Sequence, residues 1–113
     1  MKILGLAVLL CLFAIPAYSA VPATITHAAV NVAVTSTSVL AASAATRSLL
    51  VLVNDSDVNM YCNIGGAAAV MNQGLRLNAA GGAILLDVSV SQNEVFCIHG
   101  GSGSKVLLVV EGK

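Results

Sequence analysis

The sequence predicts an all-β fold, a single antiparallel β-sandwich or jelly-roll-like domain formed by residues 27–113. Short apolar runs recur along this region, separated by clusters of glycine, asparagine, aspartate and serine. That pattern is typical of strands joined by turns. No stretch has both the length and the 3.6-residue periodicity of a stable helix. Strands at this spacing without helices favour two packed sheets or a small barrel.

A secretory signal peptide is predicted at residues 1–19. Lys2 provides a positive start, residues 3–15 are almost entirely apolar, and Pro16 ends that run. Small side chains occupy the −3 and −1 positions of a cleavage after Ser19. The alternative is an uncleaved membrane anchor, but the apolar run is shorter than the ~18 residues that a membrane span needs. We therefore expect no stable membrane anchor after cleavage.

The mature chain then begins with a predicted extended arm at residues 20–26, which contains Pro22 and no turn signal. The first strand is predicted at residues 27–35, where valines alternate with other side chains. Residues 36–46 are rich in serine, threonine and alanine. We expect a short strand and a turn there, although a short helix at residues 40–45 is an alternative.

The middle of the domain alternates apolar segments with turns. Strands are predicted at residues 48–53 and 58–64, and they are joined by the sequence Asn-Asp-Ser-Asp, whose side chains hydrogen-bond the nearby backbone in turns. Residues 67–71 and 74–77 flank a further turn. Three strands are predicted to complete the domain, at residues 83–90, 94–99 and 105–111.

Two of these strands are apolar at consecutive positions, residues 49–53 and 106–110. Neighbouring residues of a strand point to opposite faces of the sheet, so both faces of these strands are apolar. Either a barrel-like closure covers both faces, or one face contacts another subunit. We favour subunit contact, and the candidate residues of the assembly surface are Leu49, Val51, Val53, Leu107 and Val109.

The cysteines agree with export. Cys62 and Cys97 are the two that remain once the signal peptide is removed, and each follows an aromatic residue in a strand-like run. An even pair in an oxidising compartment predicts a disulfide, with two free thiols as the alternative. The bond would stabilise the fold by roughly 4 kcal/mol in the chain-entropy model. The predicted location is periplasmic, extracellular or on a virion surface.

Composition argues against several kinds of partner. Five basic and five acidic side chains balance across the chain, and no basic patch suggests nucleic acid. Tyr61 and Phe96 are the only aromatic residues of the mature chain, fewer than sugar- or base-stacking platforms usually have. We expect no small-molecule substrate and no cofactor.

No motif predicts catalysis. Residues 99–104, His-Gly-Gly-Ser-Gly-Ser, resemble hydrolase loops, but such loops need a large α/β sheet, and a hairpin loop explains the same residues. Asp55 and Asp57 lack the remaining carboxylate of a calcium loop. The two histidines and two cysteines lack the paired spacing of a zinc site. We therefore expect a protein that is not an enzyme and binds no metal.

Several short segments, taken in order, resemble a known group of proteins. They are residues 35–42, Arg47 before an apolar strand, residues 53–57, Met60-Tyr61, residues 65–68, residues 74–82 and residues 105–112. From Thr35 onwards, over roughly two-thirds of the chain, the sequence resembles small bacteriophage virion proteins, β-sandwiches of capsid decorations, fibres or tail-associated parts. The resemblance implies a structural role, a self-associating β surface and no catalytic residues.

The sequence therefore favours a structural or assembly subunit that contacts itself or other structural subunits. The signal peptide and the cysteine pair differ from the virion group, and both fit a relative that functions outside the cytoplasm. The alternative is a secreted monomeric binding module, such as an adhesin or an inhibitor.

Overall fold

The computed structural model describes residues 21–113, so the predicted signal peptide, its cleavage site and Ala20 lie outside the described residues. This part of the chain is all-β and contains eight strands. None of its residues forms a helix long and apolar enough to cross a membrane. The strands are β1 (Ile25–Val32), β2 (Thr37–Leu40), β3 (Leu49–Asn54), β4 (Met60–Asn63), β5 (Leu75–Leu77), β6 (Gly82–Leu86), β7 (Val95–His99) and β8 (Lys105–Gly112).

The strands form two four-stranded antiparallel sheets, and the predicted β-sandwich is confirmed. The first sheet has the order β1-β8-β3-β6 and the second has the order β2-β7-β4-β5. The pairs β1–β8, β2–β7, β3–β6 and β4–β5 are those of one long hairpin folded over itself. This nested strand pairing is the topology of an eight-stranded jelly roll. Of the predicted β-sandwich or jelly-roll-like domain, the jelly-roll form is therefore the one observed.

The core lies between the two sheets. Strand alternation sends every second side chain into it, as β3 shows, where Leu50 and Leu52 are fully buried between half-buried neighbours. Burying one such leucine stabilises the fold by about 1.5–3 kcal/mol. The buried apolar side chains are Val32, Val39, Leu50, Leu52, Met60, Cys62, Leu77, Val95, Cys97, Leu107 and Val109.

A disulfide joins the two central strands of the second sheet. Cys62 of β4 lies directly opposite Cys97 of β7, with their Cα atoms 4.1 Å apart, and the two sulfurs are bonded. Both side chains are buried in the core. The predicted pairing and its buried position are confirmed, and the bond is typical of an oxidising environment.

A buried arginine ties β3 to the loops around it. Arg47 donates from Nε to the carboxylate of Glu111 at 2.8 Å, and its two terminal nitrogens donate to three backbone carbonyl groups. The carbonyls belong to Ala41, Ser91 and Asn93. The four hydrogen bonds of the guanidinium reach three segments of the chain, and they fix residues 41–47 and 91–93 against the end of β8.

Two other buried polar side chains fix turns. The Asn54 amide donates to the carbonyls of Val58 and Leu77, and its oxygen accepts from Ser56. The buried residue His99 holds the loop that follows β7. These residues are polar because loop carbonyl and amide groups inside the fold require hydrogen-bond partners.

The structure corrects three predicted segments. Residues 25 and 26 belong to β1, and the preceding Ala23 and Thr24 hydrogen-bond to Lys113, so residues 23–26 of the predicted arm pair with their own chain. The predicted first strand ends at Val32 rather than at residue 35, and β6 ends at Leu86 rather than at residue 90. Residues 40–45 form no helix.

Candidate assembly surface

The outer face of the first sheet carries two rows of mostly apolar side chains across all four strands. Strand registers place His27, Val110, Val51 and Leu85 side by side in one row. They place Ala29, Leu108, Val53 and Ala83 in the next row. Outer faces of antiparallel sandwiches are usually polar, so this face departs from the common pattern.

The structure brings three of the five candidate residues to this face. Leu49, Val51 and Val53 of β3 point outward and are half-buried, whereas Leu50 and Leu52 fill the core. The expectation that the two residues predicted from β8 lie at the surface is wrong. Leu107 is fully buried and Val109 is nearly so, because both point between the sheets.

The outward residues of β8 are instead Val106, Leu108 and Val110. Leu108 is 36 % exposed and Val106 is 38 % exposed. Leu85 on β6, the edge strand next to β3, is 60 % exposed. These values show that apolar side chains of the face remain accessible to solvent in the described chain.

The face is also free of formal charge. The outward positions of its four strands hold no lysine, arginine, aspartate or glutamate, and His27 is their one titratable side chain. The sheet's two charged residues, Lys105 and Glu111, have the opposite orientation. A partner would therefore meet almost no charge to desolvate on this face.

A shallow groove of about 360 Å³ runs along the face between β1 and β3. Its lining includes the outward side chains of Leu108, Val110 and Val53, with the smaller Ala29 beside them. Alanines beside larger valine and leucine side chains make the surface of this face uneven. A partner surface with complementary relief is needed to fill it.

The second sheet has a different outer face. Tyr61 of β4 lies opposite Ile98 of β7 on one side and Arg76 of β5 on the other, and Phe96 is the next outward residue of β7. Both aromatic residues of the described chain thus share one face, where they are half-buried. A groove of about 480 Å³ lies beside Tyr61 and is also lined by Asp57 and Met71.

His99, the histidine of the hydrolase-like sequence at residues 99–104, stabilises the loop that follows β7. His99 is fully buried, and its Nε2 lies 3.0 Å from the Val32 carbonyl oxygen and 2.9 Å from that of Gly103. Since carbonyls only accept, Nε2 carries the proton. Nδ1 accepts from the Gly101 N–H at 3.1 Å. Both ring nitrogens are therefore used in holding the hairpin loop, and neither is free to act as a base on a substrate.

At the acidic turn that follows β3, Asp57 and Asn54 likewise make contacts that hold the fold. The Lys105 ammonium lies 2.7 Å from the carboxylate of Asp57 and lowers the pKa of that side chain by its hydrogen bond and charge. The Asn54 side chain donates to the carbonyls of Val58 and Leu77 and accepts from the N–H and the hydroxyl of Ser56. Among residues 21–113 there is no group of three or more potential metal-ligating side chains.

Comparison with protein-family models, curated proteins and solved structures gives no match to this chain.

Proposed function

We propose that this protein is an exported structural subunit, not an enzyme, that self-associates through the outer face of the first sheet. The observation that carries the proposal is the pair of mostly apolar rows that cross all four strands without a lysine, arginine, aspartate or glutamate. Monomeric soluble proteins seldom leave a large contiguous apolar patch in water. Covering this patch with another subunit removes it from solvent.

Two further observations support the class of assembly. The segments from Thr35 onwards resemble bacteriophage virion proteins, and jelly rolls occur in viral capsid and lectin domains. The second point is an analogy of fold and carries less weight, because one fold serves many functions. We therefore propose a virion surface protein, or an exported relative that builds a filament or surface layer from copies of itself or other structural subunits.

Export is the part of the proposal supported by the disulfide. The buried bond between Cys62 and Cys97 is typical of the periplasm, the cell exterior or a virion surface. Intact mass of the exported protein tests the proposed cleavage after Ser19. An exported form that retains Met1 would overturn this part.

The assembly surface is tested by placing a charge on it. Val51→Lys and Leu85→Lys introduce an ammonium into the first row, where a contact would have to desolvate it. Val70→Lys is the matched control, since Val70 is 49 % exposed and lies in the loop between β4 and β5. Sedimentation velocity of the mature protein should show the full assembly for wild type and Val70→Lys, and smaller species for both face variants.

Circular dichroism must show that all three variants are folded. Face variants that are folded and assemble as wild type does would overturn the proposal that this face is the contact.

A secreted monomeric binding module is the second candidate. It is favoured by the second sheet, where Tyr61 and Phe96 share an outer face and the 480 Å³ groove adjoins Tyr61. Aromatic side chains supply large contact areas at binding sites. This candidate predicts a protein that remains monomeric and a Tyr61→Ala variant that loses binding without losing stability.

A further inference from the structure

Strand β1 is an open sheet edge without the usual protection. It is eight residues long, it pairs with β8 in continuous register, and its other side has no partner strand within residues 21–113. Natural edge strands are commonly protected by charged side chains, proline, bulges or shortness. The sequence of β1, Ile-Thr-His-Ala-Ala-Val-Asn-Val, has none of these features.

The other three edges of the sandwich are better protected. Strand β2 has four residues and an irregular register with β7, and β5 has three residues including Arg76. Strand β6 has five residues and is followed by Asp87. Of the four edges, β1 is therefore the one suited to accept another strand.

The register identifies which backbone groups of β1 face outward along the sheet. Thr24 and Lys113 exchange both of their N–H···O=C bonds, each of 2.9 Å. Hydrogen-bonded pairs alternate with non-bonded pairs in an antiparallel ladder. Even-numbered residues of β1 therefore bond to β8. The N–H and C=O groups of Ile25, His27, Ala29 and Asn31 point toward the open edge.

We infer that β1 pairs antiparallel with β1 of a second copy of this chain, across a two-fold axis at Ala28. This inference rests on the proposed self-association and adds an edge contact to the proposed face contact. The register centred on Ala28 is the one that uses all four edge residues, with His27 opposite Ala29 and Ile25 opposite Asn31. It forms about eight new hydrogen bonds between the two copies.

The composition of β1 suits this pairing. Ala28 meets its own counterpart at the axis in a non-hydrogen-bonded pair, where side chains are closest, and alanine is small enough for that approach. No like charges meet, because β1 carries none. Its residues 25–29 are exposed on both faces of the described chain, so the edge is accessible.

Pairing also extends the assembly surface. The two first sheets become one eight-stranded sheet with the β1 strands at its centre. Because His27 lies opposite Ala29 of the second copy, each apolar row continues into the other row of that copy. The charge-free outer face doubles in width, which provides a larger surface for the contacts proposed above.

An Ala28→Cys variant tests the register. The new cysteines would face each other across the axis in a pair of the same kind as Cys62 and Cys97, whose Cα atoms lie 4.1 Å apart. After mild oxidation, non-reducing electrophoresis should show a covalent dimer, and peptide mapping should show the bond between two copies of residue 28. Thr26→Cys is the control, because it would lie opposite Val30 of the second copy and should remain largely uncrosslinked.

A second variant tests the hydrogen bonds. Ala29→Pro removes an N–H that points to the open edge and leaves the ladder to β8 intact, and proline is tolerated at such edge positions. Association should weaken by about tenfold or more, because each dimer contains the substitution twice and so loses two hydrogen-bond donors. Folding is checked by circular dichroism.

The results separate this inference from the proposed function. Protein that associates in solution while Ala28→Cys gives no more covalent dimer than Thr26→Cys overturns the β1 pairing and leaves self-association standing. Wild-type protein that stays monomeric overturns both. The Ala28→Cys result keeps its meaning if Ala29→Pro does not fold.

Discussion

Leu107 and Leu108 are consecutive residues of β8, yet their side chains lie on opposite faces of the first sheet: Leu107 is fully buried in the core and Leu108 is 36 % exposed. The two leucines therefore belong to the two different faces of the sheet. One stabilises the domain, and the other contributes to the proposed assembly surface. Substituting each in turn measures these roles independently.

We predict that Leu107→Ala lowers the free energy of unfolding by about 2–5 kcal/mol, through lost burial and the cavity that remains. Leu108→Ala should lower it by less than about 1 kcal/mol, since a surface position of a strand tolerates substitution. Urea denaturation at a concentration where both variants are monomeric measures the two values. Equal effects would mean that the assigned orientation of β8 is wrong.

The Arg47–Glu111 pair should contribute strongly to stability. The guanidinium is buried, and its removal leaves three carbonyl groups without this donor and the Glu111 carboxylate with only the Lys113 ammonium, at 3.2 Å. Breaking a buried pair in this way costs about 3–5 kcal/mol, so Arg47→Met should reduce the free energy of unfolding by that amount. Arg76→Met on the exposed face of β5 is the control and should change little. A small effect of Arg47→Met would show that the carboxylate reaches solvent easily.

This pair also explains why the orientation of β8 could not be predicted. Glu111 has the same parity as Leu107 and Val109, and a charged strand residue normally faces water. If Glu111 faced water, strand alternation would place Leu107 and Val109 on the outer face as well. In the structure Glu111 faces inward because Arg47, a residue 64 positions away, meets it there. No local pattern indicates a contact at that separation.

Other features were predictable because they depend on local rules. The positions of the turn residues predict the ends of most strands. Consecutive apolar residues predict that β3 and β8 are apolar on both faces. The cysteine pair followed from number and compartment alone. The sheet edge at β1 was not predictable, because Ile25 and Thr26 join the strand only through their pairing with Gly112 and Glu111.

The disulfide should matter more for stability than for shape. Its loop spans 35 positions, so removing the bond should cost roughly 4 kcal/mol through the entropy of the unfolded chain. A Cys62→Ala, Cys97→Ala double variant should show this loss in urea denaturation while it keeps its β-rich circular dichroism. Ser102→Ala, in an exposed loop, is the control. Wild-type protein that yields two free thiols on denaturation after export would contradict the bond itself.

The ion pair between Lys105 and Asp57 predicts a pH effect of known sign. The Lys105 hydrogen bond and charge lower the pKa of Asp57, so the folded state binds a proton here less readily than the unfolded chain does. The pair therefore stabilises the fold above the ordinary aspartate pKa, and this contribution is lost as pH falls through the lower, folded-state pKa. The contribution should be small because the Asp57 side chain is largely exposed.

The corresponding measurement is an NMR titration of the Asp57 carboxyl. Lys105→Met should raise its pKa toward the ordinary value, whereas Lys113→Met, whose side chain pairs with Glu111, should leave it unchanged. An Asp57 pKa that is the same in wild type and Lys105→Met would show that the ion pair does not persist in solution.

Self-association is the claim on which the proposed function depends, and light scattering of the exported wild-type protein tests it most directly. Molar mass measured over a rising concentration series should exceed that of one mature chain and increase with concentration. A molar mass that stays at one chain up to the highest concentration would contradict the account and favour the monomeric binding module.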